Sequence, residues 1–308
     1  MSEGVSVTMS AEAWRGKTAV ITGAGSGFGL ELARLAGRAG LRLVMVDVQA
    51  DALAAAVAEQ RAAGVEVMPF ELSVADAPAM QAMADEVQHQ WGAPQLLFNN
   101  AGVGSGGLIW ENTLDDWQWV LGVNLMGVVH GVRLFTPMML AAAEADPNWR
   151  GHIVNTASMA GLVNPPNMGV YNVSKHAVVS LTETLHHDLS LVSTQIGVSL
   201  LCPFFVATGI SQSHRNRPSR GAKATRSQRV GQAMMDKAVQ SGKVSAADVA
   251  QQTFAAIASG QFYIYSHPQA LASVQTRMED ILQMRSPSDP FAGKPQVREQ
   301  LKAALRSD

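Results

Sequence analysis

Tyr171 precedes Lys175 by one helical turn in the stretch GVYNVSKHAV, residues 169–178. Residues four apart share one face of a helix, so an ammonium would stand beside a phenol. With three tyrosines and seven lysines in the chain, a Tyr-x-x-x-Lys pair arises by chance about 0.07 times. A free phenol titrates near ~10, too high for a base at neutral pH. A unit charge ~4 Å away is worth ~4 kcal/mol at an effective dielectric of ~20. That would bring the phenol down to about 7–8, before burial opposes it, and poise it for general acid–base work. Ser158 lies upstream at the end of HIVNTAS, and the three side chains together could form a proton-handling unit.

A second cluster could hold a phosphate. AVITGAGSGFGLELA joins an apolar run to a helical pattern, with Gly23, Gly27 and Gly29 in a G-x-x-x-G-x-G array. Such a turn lets a pyrophosphate approach the backbone and meet the positive end of a helix. Asp47 closes the next apolar run, where a carboxylate would accept hydrogen bonds from ribose hydroxyls and repel a 2′-phosphate. Neither residues 24–28 nor residues 48–50 supply an Arg or Lys to neutralise it. The pattern predicts NAD in preference to NADP. A plain βα turn and a solvated strand-end Asp are the bland alternatives.

Both clusters need strand ends and helix starts to position them. Short, continuous apolar runs at 17–23, 41–47, 65–70, 94–100, 151–158, 196–203 and 262–266 read as strands buried on both faces. Helical periodicity fits roughly 28–39, 49–63, 76–91, 113–145, 170–192 and 245–259. The alternation predicts a doubly wound, Rossmann-like α/β fold with a parallel sheet, as a single domain. Its core spans about 15–265. Residues 209–243 are polar with no strand signal and read as a substrate lid. An arm follows from about 267 to 308, broken by prolines and ending in a short helix.

The bulk numbers narrow the class. At 308 residues and 47% hydrophobic, the chain can bury a full core. A net charge of −2 argues against nucleic acid or an anionic membrane as partner. The single cysteine, Cys202, cannot form an internal disulfide. It reads as a small buried hydrophobe at a strand end. No apolar run approaches the ~20 residues of a membrane span. The opening MSEGVSVTMSAEAWRGK lacks a basic region followed by an apolar one. The expectation is a soluble, cytoplasmic protein. His186, His187 and Asp188 lack a zinc spacing, so no metal is expected. Trp110, Trp117, Trp119, Met138 and Met139 read as core or interface.

Taken together, these motifs resemble the short-chain dehydrogenase/reductase family over roughly residues 15–265. The resemblance rests on TGAGSGFG (22–29), NNAG (99–102), Asn124 in GVNLMG, Ser158, and YNVSK (171–175). It implies Tyr171 as catalytic acid/base and Ser158 as the donor holding the carbonyl oxygen. Lys175 would lower the tyrosine's pKa and bind the nicotinamide ribose, and Asn124 would hold a water in the proton relay. The implied cofactor contacts are Gly23, Ser26, Gly27, Phe28, Gly29 and Asp47, then Asn100, Ala101 and Gly102, then Pro203, Val206 and Thr208, with Tyr171 and Lys175. NNAG would also brace the central sheet.

The sequence departs from the family in two places. Phe204 replaces the glycine that usually follows Pro203, and Phe204 with Phe205 would either narrow the substrate side or pack in the core. Glu71 stands where an Asp is common, which leaves Leu72 as the adenine contact by position alone. The stretch after strand six carries Arg215, Arg217, Arg220, Lys223, Arg226 and Arg229, with no acid over 189–235. It reads either as a solvated, mobile lid or as a clamp on an anionic substrate group.

The implied function is NAD-dependent interconversion of a small-molecule secondary alcohol and a ketone, in a homodimer or homotetramer built through 113–145 and 170–192. The lid and arm resemble a bacterial subgroup, some members of which oxidise aromatic or benzylic alcohols. A catalytically silent nucleotide sensor and an epimerase or lyase on the same scaffold are the rival readings.

Overall fold

Seven β-rich apolar runs become seven parallel strands: β1 Thr18–Thr22, β2 Arg42–Asp47, β3 Val67–Glu71, β4 Leu96–Asn99, β5 Gly151–Thr156, β6 Ile196–Cys202 and β7 Tyr263–Tyr265. In the computed structural model, residues 14–218 and 223–306 are described. The strands form one sheet in the order β3-β2-β1-β4-β5-β6-β7. The order reverses between β1 and β4, which opens a crevice beyond the carboxyl ends of the strands. Val20 lies opposite Val44 on one side and Leu97 on the other, which fixes the register at the sheet centre.

Alternate strand residues enter opposite cores, as the pleat requires. Ile21, Met45 and Phe98 pack beneath α1 (Gly27–Arg38), α2 (Ala50–Ala62) and α8 (Ala246–Ser259). Val20, Val44 and Leu97 pack beneath α3 (Ala77–Trp91), α5 (Gly127–Ala145) and α6 (Gly169–Val192). Phe98 and Phe135 are among the largest side chains fully buried there, each stabilising the fold by about 1.5–3 kcal/mol. The doubly wound expectation holds.

Caps mark several boundaries. A reciprocal Ser245–Asp248 box starts α8, and Gly260 ends it in the left-handed region at φ 68°. A Thr113–Asp116 box starts α4 (Leu114–Leu121). A π-turn at Gly122–Met126 then joins α4 to α5. The joined helix, Leu114–Ala145, is long and apolar enough to cross a membrane by length and composition alone, with a mean hydropathy of 1.4 over its best window. This corrects the expectation that no segment would qualify. His130 and Arg133 interrupt the apolar run in sequence, whereas Val128, Leu134, Phe135 and Met139 face the core in space.

The polar region 209–243 is also more ordered than its composition predicts. A 3-10 segment spans Gly209–Asn216, and α7 occupies Arg226–Gln240. The arm contributes α9 (Leu271–Leu282) as well as the expected terminal helix, α10 (Pro295–Arg306). Arg220, and the N-terminal reading over residues 1–13, lie outside the described residues.

Candidate active site

The glycine array folds into a cradle because side chains are excluded from it. Gly23 and Gly27 adopt φ of 68° and 54°, a region costly for other residues. A Cβ on Gly29 would come within 2.0 Å of the Gly23 carbonyl oxygen. Ser26 caps α1 without a side-chain bond, and no acid occupies the first turn. The first amides of α1 are therefore left for an anion. The neighbouring loop is strapped on by Thr22, whose hydroxyl accepts from the Asn100 and Ala101 amides at 2.9 and 3.0 Å. Asn100 Nδ2 donates to the Thr22 carbonyl at 3.0 Å, while its buried Oδ1 has no partner. An orphan acceptor beside an uncapped helix start fits a dinucleotide.

Asp47 is buried at the end of β2. Its two carboxylate oxygens accept from the Gly25 and Gln49 amides, each at 2.9 Å. It thus shapes the glycine loop as well as facing the crevice. Asn99 Nδ2 donates to Asn155 Oδ1 at 2.8 Å, tying β4 to β5, and Asn155 Nδ2 donates to Thr182 on α6 at 3.1 Å. This is the bracing expected of NNAG.

A cavity of about 1720 Å³ runs along the strand ends. Of the sequence-chosen residues, Gly23, Ser26, Gly27, Phe28, Asp47 and Leu72 line it at one end. Asn100, Ala101, Gly102, Ser158 and Tyr171 line its middle wall, followed by Pro203, Val206 and Thr208. Gly29, Asn124 and Lys175 stand behind that lining. Gly102 keeps the wall thin: a Cβ there would lie 3.5 Å from Lys175 Nζ.

Ser158, Tyr171 and Lys175 are brought together. Ser158 follows β5 and caps a short 3-10 turn, its Oγ accepting from the Ala160 amide at 3.1 Å. The Ser158 hydroxyl points to the Pro203 carbonyl at a long 3.4 Å and stands near enough to the Tyr171 hydroxyl to favour its ionised form. Lys175 Nζ donates to the Thr156 carbonyl at 2.9 Å and lies 5.8 Å from the Tyr171 ring centre.

The electrostatics correct one expectation. Burial pushes the Tyr171 phenol up to about 12, with the Ser158 hydroxyl opposing, and brings the Lys175 ammonium down to about 8. The phenol is therefore not poised near 7–8 in this site. Burial is the chief cause of both shifts. Burial likewise pushes the Cys202 thiol up to about 12, in keeping with a buried, unreactive strand-end residue.

Asn124 is fixed through its side chain. It lies in the π-turn, and its carboxamide is already engaged: Nδ2 donates to the Val103 carbonyl and to Ser174 Oγ, each at 3.0 Å, and Oδ1 accepts from the Val103 amide at 2.7 Å. Both side-chain donors are thus occupied by the protein, and the side chain holds the wall in place. Ser174 and Thr156, which anchor Asn124 and Lys175, escaped sequence reasoning. Ser174 lies inside YNVSK, but nothing in the motif marks it as a partner of Asn124.

The lid is pinned, not a strand of mutually repelling cations. Arg217 pairs with Asp116 at 2.7 Å and lies over the Trp119 ring at 5.9 Å. The acid it needs comes from α4, distant in sequence. Ser227 on α7 donates to Glu111 and accepts from the Leu108 amide. Gly231 packs backbone to backbone on Gly106, where an added Cβ would lie 3.0 Å from the Gly106 Cα. A Thr225–Gln228 capping box starts α7, and TRSQ carried that signal in sequence. From the other side, α10 docks on α7 through the Arg226 Nε bond to the Ala304 carbonyl and buried Leu301. Phe204 is 43% exposed and its ring lies tilted against Phe205, the centres 4.5 Å apart; both line the cavity, so Phe204 is not a core residue.

The family model described as short chain dehydrogenase matches residues 17–219. A solved short-chain dehydrogenase/reductase from Burkholderia phymatum, in complex with NAD, is 52% identical with a TM-score of 0.87, covering 91% of this chain and 99% of that one. The 1-deoxy-11-beta-hydroxypentalenate dehydrogenase of Streptomyces avermitilis is 35% identical over 265 residues, 85% of this chain and 87% of that protein. The CLA biosynthesis dehydrogenase/reductase of Lactiplantibacillus plantarum is 30% identical over 276 residues, 87% of this chain and 94% of that protein.

Proposed function

The chain belongs to the short-chain dehydrogenase family, and on that premise we propose that it interconverts a secondary alcohol and a ketone with NAD. The observation that carries this reading is the convergence of Ser158, Tyr171 and Lys175 on the cavity that the glycine cradle also lines. Gly23, Ser26 and Gly27, with the α1 amides, would hold the pyrophosphate, and Asp47 the adenosine ribose. When bound, the nicotinamide supplies a hydride acceptor or donor.

The chain's own residues handle the oxygen and the proton. In ketone reduction, Ser158 donates a hydrogen bond to the carbonyl oxygen and Tyr171 delivers its proton there. A phenol held up to about 12 is protonated at neutral pH, ready for this direction. In alcohol oxidation the phenolic oxygen of Tyr171 takes the proton from the alcohol, which demands a deprotonated Tyr171 and favours alkaline pH. Lys175 stands behind the tyrosine as the adjacent charge, and Asn124 keeps the wall between them rigid.

The Asp47 carboxylate supports NAD over NADP, because a 2′-phosphate would meet a buried negative charge. Half-exposed Met126 and Val173, on the π-turn and α6, suit the homodimer or homotetramer contact expected there. A buried thiol without a disulfide partner suits the cytoplasm. The test is NADH absorbance with a panel of secondary alcohols. Absence of NADH across the panel would favour a silent sensor, and product formation without net redox change an epimerase.

A further inference from the structure

The cavity has a second kind of lining beyond the catalytic hydroxyls. Trp119, Met168, Phe204, Ile210, Met234 and Met235 form apolar wall. Met168 stands three residues before Tyr171, and Phe204 directly follows Pro203, whose carbonyl faces Ser158. The arm closes the other side. Ser273, Thr276, Arg277, Asp280 and Ile281 of α9 all line the cavity, at the spacing of one helical face.

Charge on this wall is unbalanced. Asp280 accepts from Arg285 at 3.0 Å and from the Ser288 amide at 2.8 Å and hydroxyl at 3.1 Å. Asp289 accepts from Arg298 and from the Phe291 amide, each at 3.0 Å. Arg217 is matched by Asp116. Among the described residues, Arg277, Arg215 and Lys294 line the cavity without a carboxylate partner, Arg215 bonding only Gln212 at 2.9 Å. Asp115, exposed on α4, and Asp47, held by the Gly25 and Gln49 amides, are the lining acids left without an ion pair. Arg215 and Lys294 are exposed and screened by solvent, whereas Arg277 is half-buried. Arg277 also faces α6: burial chiefly, and its charge in addition, hold His176 below the usual histidine value.

We propose that the substrate is an amphipathic carboxylic acid, an apolar body that presents its alcohol or ketone to Ser158 and Tyr171 and its carboxylate to Arg277. This rests on the oxidoreductase reading of the same site. It also moves the anion contact from the basic stretch 215–229, where Arg217 is engaged by Asp116, to α9. A planar guanidinium receives a carboxylate through two parallel hydrogen bonds, which a neutral ester cannot reproduce.

The experiment has a turnover arm and a binding arm, both on the NAD-loaded enzyme. In the first, 9-hydroxydecanoate and its methyl ester are compared by NADH absorbance. The acid should exceed the ester in kcat/KM by about tenfold or more, the worth of a hydrogen bond to a charged group. Arg277→Gln should lower the acid's kcat/KM by a similar factor and the ester's by less, with partial rescue in Arg277→Lys. In the second arm, decanoate should bind about tenfold more tightly than decanol, read by tryptophan fluorescence, and Arg277→Gln should remove that difference. Equal treatment of acid and ester, or of decanoate and decanol, overturns the anion site while ester oxidation leaves the oxidoreductase reading standing. Arg277-dependent decanoate binding with no NADH from either substrate does the reverse.

Discussion

Replacing Lys175 by Met tests the electrostatics of the site without any turnover. The ammonium is buried, keeps one hydrogen bond to the Thr156 carbonyl at 2.9 Å, and falls from 10.5 to about 8 through burial. Its folded value lies below its unfolded one. Below pH 8 both states hold the proton, so the folded state carries the full cost of a buried charge. As pH rises past 8 the folded protein releases that proton, and above 10.5 the cost is gone. The gap corresponds to about 3 kcal/mol. Lys175→Met removes this term and also leaves the Thr156 carbonyl unpaired, a pH-independent loss of about 1–2 kcal/mol. The variant should therefore be more stable than wild type at pH 7 by about 1–2 kcal/mol, and less stable by a similar amount at pH 10.5. Tyr171 ionises above pH 10 in both unfolded chains and drops out of the difference. Urea unfolding of both proteins without cofactor, from pH 6 to 10.5, measures it. A difference that stays constant across that range, or a variant weaker at pH 7 than at pH 10.5, refutes the reasoning.

Three other outcomes follow from the same geometry. Tyr171→Phe should lose ~10²–10⁴-fold in turnover with NAD affinity unchanged by fluorescence titration; retention of a tenth of the activity would sink the acid/base role, and so would alcohol oxidation with a flat rate from pH 6 to 10. Asp47→Ser should narrow the preference for NAD chiefly by improving kcat/KM for NADP, by about tenfold; equal use of the two cofactors by wild type would contradict the part given to the carboxylate. Gly231→Ala places a methyl 3.0 Å from the Gly106 Cα, an overpacking of about 1–3 kcal/mol, so substrate KM should rise several-fold and hydrogen exchange in α7 should quicken; an unchanged KM would show that the lid does not meet the 104–107 loop during turnover.

Most of the sheet was legible in the sequence because a parallel strand covered on both faces has to be apolar throughout, as in KTAVITG or LRLVMVD. The glycine cradle and the Tyr171–Lys175 pair were legible because their spacing is local. What escaped depends on tertiary contact. Helix α7 is polar and is held by α10 and by the 104–107 loop, so periodicity alone does not reveal it, although its capping box does. The partner of Arg217 is Asp116, on a helix far away in the chain, and a count of charges within the basic stretch cannot find it. Proximity of Tyr171 to an ammonium can be read from i, i+4 spacing, whereas the burial that pushes the phenol up comes from packing and cannot.

The docking of α10 on α7 divides the labour of the chain by position. The residues proposed to serve hydride and proton transfer, from the glycine cradle to Thr208, lie within residues 17–219, the stretch that matches the family model. Beyond it, besides α8 and β7 of the core, come α7, α9 and α10, which line the cavity or back it, α7 and α10 being joined through Arg226 and the Ala304 carbonyl. A roof assembled as a unit can be re-tailored by changes among its own helices while the reactive floor keeps its geometry. Selectivity for the molecule admitted is in this way shared between that later stretch and the wall residues Trp119, Met168, Phe204 and Ile210, which lie beside the proposed reaction centre.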